Sequence, residues 1–328
     1  GRRQAGPWRH ARKPDMTRAS LPPAVIAGAY QTGVLGARCL RRRGVSTTMF
    51  DCVSGNPGFT SVYGPAELCP DPDAQPDEWL RYMQALAARI GERAALIPSS
   101  DKFVTAMARH ADALEKLYLL SPGVRLQGQL ADKHSQYALA QAHGMPMPLT
   151  RFVSTGAEVQ AFAATAAYPC LIKPVHFREW QKFPVDHPLH AQKIAIAGSA
   201  GELLRQYQLA ASVTPDVILQ EIIAGTDTAK RVYLACYDGS GRRIANAMFR
   251  ELRCVPVGFG PASISETVDD PDTDAVCDAF LRSIGYSGIC EIEMKWDARD
   301  GRVKPGQRLV QHQELGVVDE RAGERGLL

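Results

Sequence analysis

The sequence predicts an α/β protein built of two or three packed units, and three stretches carry that expectation. Residues 23–27 (PAVIA) read as a buried strand, 28–36 as a turn entering a helix, and 45–50 as a second strand closed by Asp51, which is a βαβ beginning. In the middle, AAYPCLIKP at 166–174 brings a helix to a stop. Pro169 has no amide to donate and holds Tyr168 extended, so Cys170, Leu171 and Ile172 form a short apolar strand ending on Lys173 and Pro174. Further on, 228–237 and 244–250 read as strands joined through Asp238, Gly239, Ser240 and Gly241, and the alternation of Ile289, Glu291, Glu293 and Lys295 marks 288–296 as another.

The remaining elements follow from caps and breakers. The first helix ends in Arg41, Arg42 and Arg43, with Gly44 as its cap; 79–91 is an amphipathic helix and 94–98 a third strand, after which Ser99, Ser100 and Asp101 open another helix. A link at 121–132 leads to a helix at 133–142, ended by His143 and Gly144, and the prolines of MPMPLT exclude helix after it. A helix at 158–167 delivers the chain to Lys173. Residues 175–192 are polar, proline-broken and without period, and are expected to be mobile; 193–197 and 217–223 read as strands around a helix at 200–209. The helix at 273–284 places Val276, Ala279, Phe280 and Ile284 on one face, and Arg299, Asp300 and Gly301 make a turn.

With 328 residues, 45% of them apolar and 22% charged, the chain has ample capacity for a core and the composition of a globular protein. The net charge of +3 gives no reason to expect nucleic acid as a partner, because much of it lies in 1–20, where Arg2, Arg3, Arg9, Arg12, Lys13 and Arg18 face only Asp15. That stretch is expected to be a disordered or non-native tail. No apolar run is long enough to span a bilayer, so no membrane is expected as a partner. The eight cysteines stand singly with no C-x-x-C pair, which suits a reducing cytoplasm. His176, His187 and His190 cluster in one loop without a cysteine or carboxylate at ligand spacing, and read as loop histidines.

Two sites suggest chemistry. Lys173 emerges from an apolar strand onto a proline, so its ammonium either grips a phosphate from a rigid base or snorkels to water. The βαβ start, with Asp51 near the distance of a ribose ligand, invites an NAD-dependent oxidoreductase, but Tyr30 stands where G-x-G-x-x-G needs a glycine.

Around Lys173 the order of motifs resembles the ATP-grasp superfamily: ADKHSQYALAQAHGMPMPLTRF upstream, with Asp132, Lys133, His143 and Gly144, and VILQEIIAGTD (217–227) downstream. The look is that of carboxylate–amine ligases of the D-aspartate ligase and carbamoyl phosphate synthetase-like branch, and it runs from about residue 24 to Lys304. The resemblance implies two α+β lobes gripping ATP after a Rossmann-like domain, with boundaries at 21–125 for that domain, 126–222 for the small lid lobe with its linker, and 223–328 for the C-terminal lobe.

It also implies roles. Lys133 and Lys173 would reach the nucleotide phosphates, Gln220 would accept from the adenine amino group, backbone groups of Glu221 and Ile223 would read the adenine edge, and Asp227 would hold the ribose. Glu293, with Glu291 on the same strand face, would bind Mg2+; Arg250 and Arg253 would face the acyl phosphate or the substrate carboxylate. Asp227 reads equally as a turn residue, and the Glu291–Glu293 alternation as a surface stripe. Val62 stands where relatives carry an arginine in Ser-Arg-Tyr. After Lys304 the chain departs from the family: PGQRLVQHQELG replaces a strand like Leu-Ile-Glu-Ile-Asn-Pro-Arg, so either Gln311 and Gln313 put amides in place of metal ligands or the segment is out of register. The implied function is an ATP-dependent ligase joining a small carboxylate to an amine through an acyl phosphate, impaired by that altered end. The alternative is a catalytically weak ATP-binding protein. A homo-oligomer is compatible with either.

Overall fold

The computed structural model describes residues 21–175, 177–190, 192, 194–255, 257 and 262–305. The tail at 1–20, His176 and the segment with Gln311 and Gln313 lie outside the described residues.

In the first unit β1 (Ala24–Ala27) runs parallel to β2 (Thr47–Asp51) on one side and β4 (Ala95–Pro98) on the other, and β3 (Ala66–Leu68) adds to β2. A parallel strand covered on both faces has no solvent side, which is why AVIA is buried throughout. The helix α1 (Gln31–Arg42) belongs to the cluster of Ile26, Ala37 and Met49. The helices α2 (Pro76–Ile90), α3 (Asp101–Arg109) and α4 (Ala111–Leu114) bury Val25, Phe50, Trp79, Phe103 and Met107 together. Ser100 is the residue before α3 but its side chain makes no capping bond, whereas the Ser99 hydroxyl donates to the carbonyls of Ala27 and Gly28 (3.1 and 3.0 Å).

Asp51 decides the dinucleotide question. It is 5% exposed, and its carboxylate accepts from Ala29 N (2.7 Å), Val53 N (3.1 Å) and Asn56 Nδ2 (2.8 Å). The Gly58 amide donates to Ala29 O (2.8 Å), and a Cβ at Gly58 would stand 2.6 Å from that of Ala29. The loop after β2 therefore packs on Ala29, and Asp51, with its carboxylate already engaged, is a brace for that turn and not a ribose ligand. The NAD reading is corrected on that ground.

The stretch expected as a link holds a helix, α5 (Val124–Leu130), packed on α3 at the close approach of Gly128 to Ala108, where an added Cβ would lie at 2.1 Å. In α6 (Lys133–Ala142), Asp132 caps the first turn by accepting from Ser135 N (2.9 Å). Leu130 and Ala140 join the core of the third sheet, while Val124 at the start of α5 belongs to the core of the first.

The second sheet is antiparallel, in the order β5 (Thr150–Val153), β8 (Val217–Glu221), β6 (Cys170–Pro174), β7 (Ala195–Ala197). The helices α7 (Gly156–Ala163) and α8 (Ala200–Ala211) bury Val159, Phe162, Leu203 and Tyr207 with Cys170, Ile172, Val217 and Leu219. The helix α7 opens on a full capping box between Thr155 and Glu158 and stops at Ala163, four residues short of its expected end.

The third sheet is also antiparallel, ordered β11 (Ala262–Thr267), β10 (Arg243–Cys254), β9 (Lys230–Tyr237), β12 (Gly288–Asp297), β13 (Arg302–Pro305). The helix α9 (Pro271–Ser283) packs Cys277, Phe280 and Leu281 against Tyr233, Ala235, Cys290, Ile292 and Met294. Of the expected face, Phe280 is buried and Val276 and Ile284 pack against the same core, while Ala279 is exposed and Thr273, Cys277 and Leu281 complete the buried side. No helix among the described residues is long and apolar enough to cross a membrane.

Candidate active site

Lys173 is set by β6, a strand buried at all its positions, and is itself 3% exposed. Its ammonium donates to Gln220 Oε1 (3.0 Å) and Tyr137 OH (3.3 Å) and lies 5.6 Å from the centre of the Tyr137 ring. Gln220, opposite Leu171 on β8, donates through Nε2 to Tyr137 OH (2.9 Å) and Thr150 Oγ1 (3.0 Å). Burial pushes the Tyr137 phenol up to about 12, so it stays neutral in this pocket. Lys133, in the first turn of α6, donates to Pro174 O (3.2 Å), which brings the two expected phosphate lysines to the same end of β6. Tyr137 and Thr150 were missed in the sequence. Tyr137 stands four residues after Lys133, a spacing that puts both on one side of a helix and was the available signal.

The strand β8 then crosses toward the third sheet. Glu221 accepts from Leu149 N (3.2 Å) through one oxygen and pairs with Arg299 through the other. Arg299 also binds Asp297, which is fully buried and takes Lys304 as a second cation (2.8 Å). Arg299 and Lys304 hold the Asp297 carboxyl well below the ordinary range. This chain of ion pairs ties the end of the second sheet to the β12–β13 turn. Ile223 is buried just beyond β8, and Lys295 donates to Gly225 O (2.8 Å), fixing the crossing loop to β12.

Asp227 is 7% exposed, and its Oδ2 accepts from Cys254 N (2.9 Å) at the end of β10. Lys230 lies 4.0 Å from its other oxygen and 3.2 Å from Glu251. Lys295 sits directly across from Lys230 in the sheet, and its pKa is lowered by burial first and by the charge of Lys230 second.

Strand alternation sorts the remaining candidates. Cys290, Ile292 and Met294 face the core under α9, so Glu291 and Glu293 point to the opposite face, together with Lys295. Glu293 pairs with Val232 and Val232 with Phe249, whereas Arg250 pairs with Arg231, itself opposite Met294. Arg250 therefore lies on the α9 side, not with the two glutamates, and its Nε donates to Glu266 (2.8 Å). Arg253 comes after a register shift in β10 and is exposed. The structure does not bring either arginine to the carboxylate face; Lys230 and Glu251 are what that face has instead.

The stretch 175–192 is not irregular throughout. A 3-10 turn at Phe177–Lys182 and the residues after it bury Trp180, Phe183 and Leu189 in the core of the second sheet, and His187 stacks on Phe183 at 4.0 Å. His190 Nδ1 lies 2.7 Å from Phe183 O.

As to Mg2+, no group of three or more His, Cys, Asp or Glu poised for a metal occurs among the described residues. Two carboxylates on one strand face nonetheless suit an ion that takes one or two protein oxygens and completes its shell with phosphate and water.

No protein-family model matches the chain. It is 25% identical to the D-aspartate ligase of Enterococcus faecium (strain Aus0004) over 252 residues, covering 73% of this chain and 58% of that protein. It is 28% identical to the D-alanine--D-alanine ligase of Verminephrobacter eiseniae (strain EF01-2) over 206 residues, covering 62% and 49%. The chain thus spans about half to three-fifths of the length of these curated relatives. Among solved structures, the ADP complex of N5-carboxyaminoimidazole ribonucleotide synthetase superposes with a TM-score of 0.64 at 17% identity, over 90% of this chain and 71% of the other. The L-amino acid ligase from Bacillus licheniformis gives 0.64 at 12% identity, over 90% and 68%. The biotin carboxylase domain of the Hydrogenobacter thermophilus 2-oxoglutarate carboxylase, solved with MgADP, gives 0.64 at 15% identity, over 91% and 65%. All are ATP-grasp enzymes, and the fold of this chain is theirs. The resemblance read from the sequence is borne out, and the curated matches are ligases of that class.

Proposed function

We propose that the chain is an ATP-dependent carboxylate–amine ligase that forms an amide through an acyl phosphate. The observation that carries the reading is Lys173, a buried cation at the end of a core strand, with Lys133 converging on the same strand end. Matches to D-aspartate ligase and D-alanine--D-alanine ligase support it, as do neighbours solved with ADP. In this reading the first unit is the Rossmann-like domain that precedes an ATP-grasp fold, the second sheet is its lid lobe and the third its C-terminal lobe. Lys133 and Lys173 hold phosphate oxygens as fixed charges. Backbone groups at Glu221 and Ile223 flank the adenine, and Asp227 borders the ribose. Glu291 and Glu293 would hold Mg2+, which supplies charge neutralisation at the phosphates when bound. Lys230, on the same sheet face as the glutamates, replaces Arg250 and Arg253 as the cation beside the acyl phosphate.

The test is magnesium-dependent release of phosphate from ATP with a panel of small carboxylates and amines, set beside protection by ATP against thermal unfolding. Turnover that needs both a carboxylate and an amine supports the ligase. Protection without turnover selects the second reading, an ATP-binding protein of little activity. The sequence after Lys304 favours that one, because either alternative there, amides at Gln311 and Gln313 or a segment out of register, lacks the carboxylate that the resemblance implies.

A further inference from the structure

We propose that Lys230 and Cys254 form a modification site, where a peroxide joins the lysine nitrogen to the cysteine sulfur through one oxygen atom, as Nζ–O–Sγ. The link itself does not depend on the nucleotide reading. Its consequence, that the nucleotide phosphates lose the charge of Lys230, rests on that reading.

Lys230 opens β9 and Cys254 closes β10, its antiparallel neighbour, so both stand at one end of the third sheet. In an unbroken strand Glu251 and Cys254 would point to opposite faces, because their positions differ in parity. The strand β10 is broken instead. Its register against β11 shifts between Glu251 and Arg253, where Leu252 is the extra residue, and again before Cys254. The bulge brings the thiol round to the side of the carboxylate. Asp227 Oδ2 holds it there by accepting from Cys254 N (2.9 Å). Lys230 Nζ then donates to Sγ at 3.1 Å, Sγ donates to Glu251 Oε2 at 2.8 Å, and Nζ lies 3.2 Å from that same oxygen. An amine, a thiol and a base are in mutual contact. Cys52 also has a lysine beside it, Lys102 at 3.5 Å, but that pair is longer and its ammonium is held by Asp71 at 2.7 Å.

Geometry favours the bridging oxygen. One bridging atom leaves Nζ and Sγ near their present separation, whereas a direct S–N bond would draw together two strands already fixed by their ladder. Burial and the Glu251 carboxylate push the thiol up to about 11, with Lys230 acting the other way. Cys254 is fully buried, but the Lys230 side chain is 19% exposed and gives a small oxidant its way in. In the first step the sulfur attacks one oxygen of hydrogen peroxide and the O–O bond breaks. Glu251 passes the thiol proton to the departing hydroxide, leaving a sulfenic acid and one water. In the second step the Lys230 amine, its extra proton given to Glu251, bonds through nitrogen to the sulfenic oxygen. One N–H and the O–H hydrogen leave with a second peroxide as two waters. Each step oxidises the pair by two electrons and reduces one peroxide. A nitrogen bonded to oxygen is not protonated at neutral pH, so the link removes a positive charge from the sheet face of Glu291 and Glu293.

The experiment treats the full chain, Cys254→Ser and Lys230→Arg with hydrogen peroxide and maps their peptides by mass, before and after dithiothreitol. Serine keeps the hydrogen-bonding group and arginine keeps the charge, so either variant serves if the other does not fold. The expected result is a joined pair of peptides holding Lys230 and Cys254, about 14 Da heavier than their sum because one oxygen enters and two hydrogens leave. It is absent from both variants and reversed by the dithiol. Calorimetry with ATP then reads an affinity about tenfold weaker in the linked protein, restored on reduction, while peroxide leaves the affinity of each variant as it was. Cys254 recovered as free thiol, or oxidised without a tie to Lys230, overturns the proposal and leaves the ligase reading standing. A pair about 2 Da lighter than the sum, a direct S–N bond, overturns the bridging oxygen. A linked protein that binds ATP as before overturns the consequence for the phosphates. An untreated chain that binds no ATP overturns the nucleotide reading, while the masses still decide the link.

Discussion

Lys173 shows how much one residue's function depends on what brackets it. Its place was legible in the sequence, because Pro169 and Pro174 delimit a run too short and too apolar for a helix, and a cation at the end of such a strand has no freedom to wander. Its supports were not legible, since Tyr137, Thr150 and Gln220 stand on different elements and meet only in three dimensions. The face of Arg250 was not legible for a related reason. Whether it shares a face with Glu293 is set by the register of β10, β9 and β12, and no property of FRELR reveals that register. Lys173→Ala should weaken ADP binding by about 1.5–3 kcal/mol, the range for a charge-assisted bond. Lys116→Ala, at an exposed position in the first unit, should leave it unchanged, and calorimetry reads both.

At the scale of elements, the central strands of all three sheets were found and several edge strands were not. TRFV in β5 and ASISET in β11 were missed, the latter because an edge strand exposed along nearly its whole length has no buried alternation to display. The opposite error fell on 175–192, where prolines and polar residues conceal Trp180, Phe183 and Leu189 as anchors. Amide exchange across 177–190 should accordingly be slow without nucleotide, and Trp180→Ala should destabilise the second unit by about 3–5 kcal/mol in urea unfolding. Fast exchange there in the unliganded protein would refute the anchoring. The β12–β13 hairpin makes a pH prediction. Asp297 has a depressed pKa in the fold, so its contribution is complete above its unfolded value of about 4 and is lost as pH falls through the folded value. Asp297→Asn should cost about 1–3 kcal/mol at neutral pH, with the gap to wild type narrowing below about pH 4.

Across the whole molecule, polar pairs tie the second sheet to its surroundings: Glu221 with Arg299 of the β12–β13 turn and Pro174 with Lys133 of α6, while Lys295 of β12 holds Gly225 in the crossing loop. A double-mutant cycle on Glu221→Gln and Arg299→Gln should give a coupling of only about 0.2–1 kcal/mol, because Arg299 is 42% exposed, yet raise amide exchange in β8 and the crossing loop. No change in exchange there would show that the pair does not restrain the lobes. The sharing of α5 and α6 with the last core was not readable, since a helix's sequence shows which face is apolar and not which neighbour covers it. Asp51 has a consequence for the chain's possible descendants. A glycine at Tyr30 would complete the dinucleotide signature on paper and still leave no ribose ligand, because the Asp51 carboxylate is already engaged by Ala29 N, Val53 N and Asn56. The route from this βαβ unit to a dehydrogenase is blocked at Asp51, whose carboxylate already braces the turn, and a search that scores the glycines alone would count it as one step away.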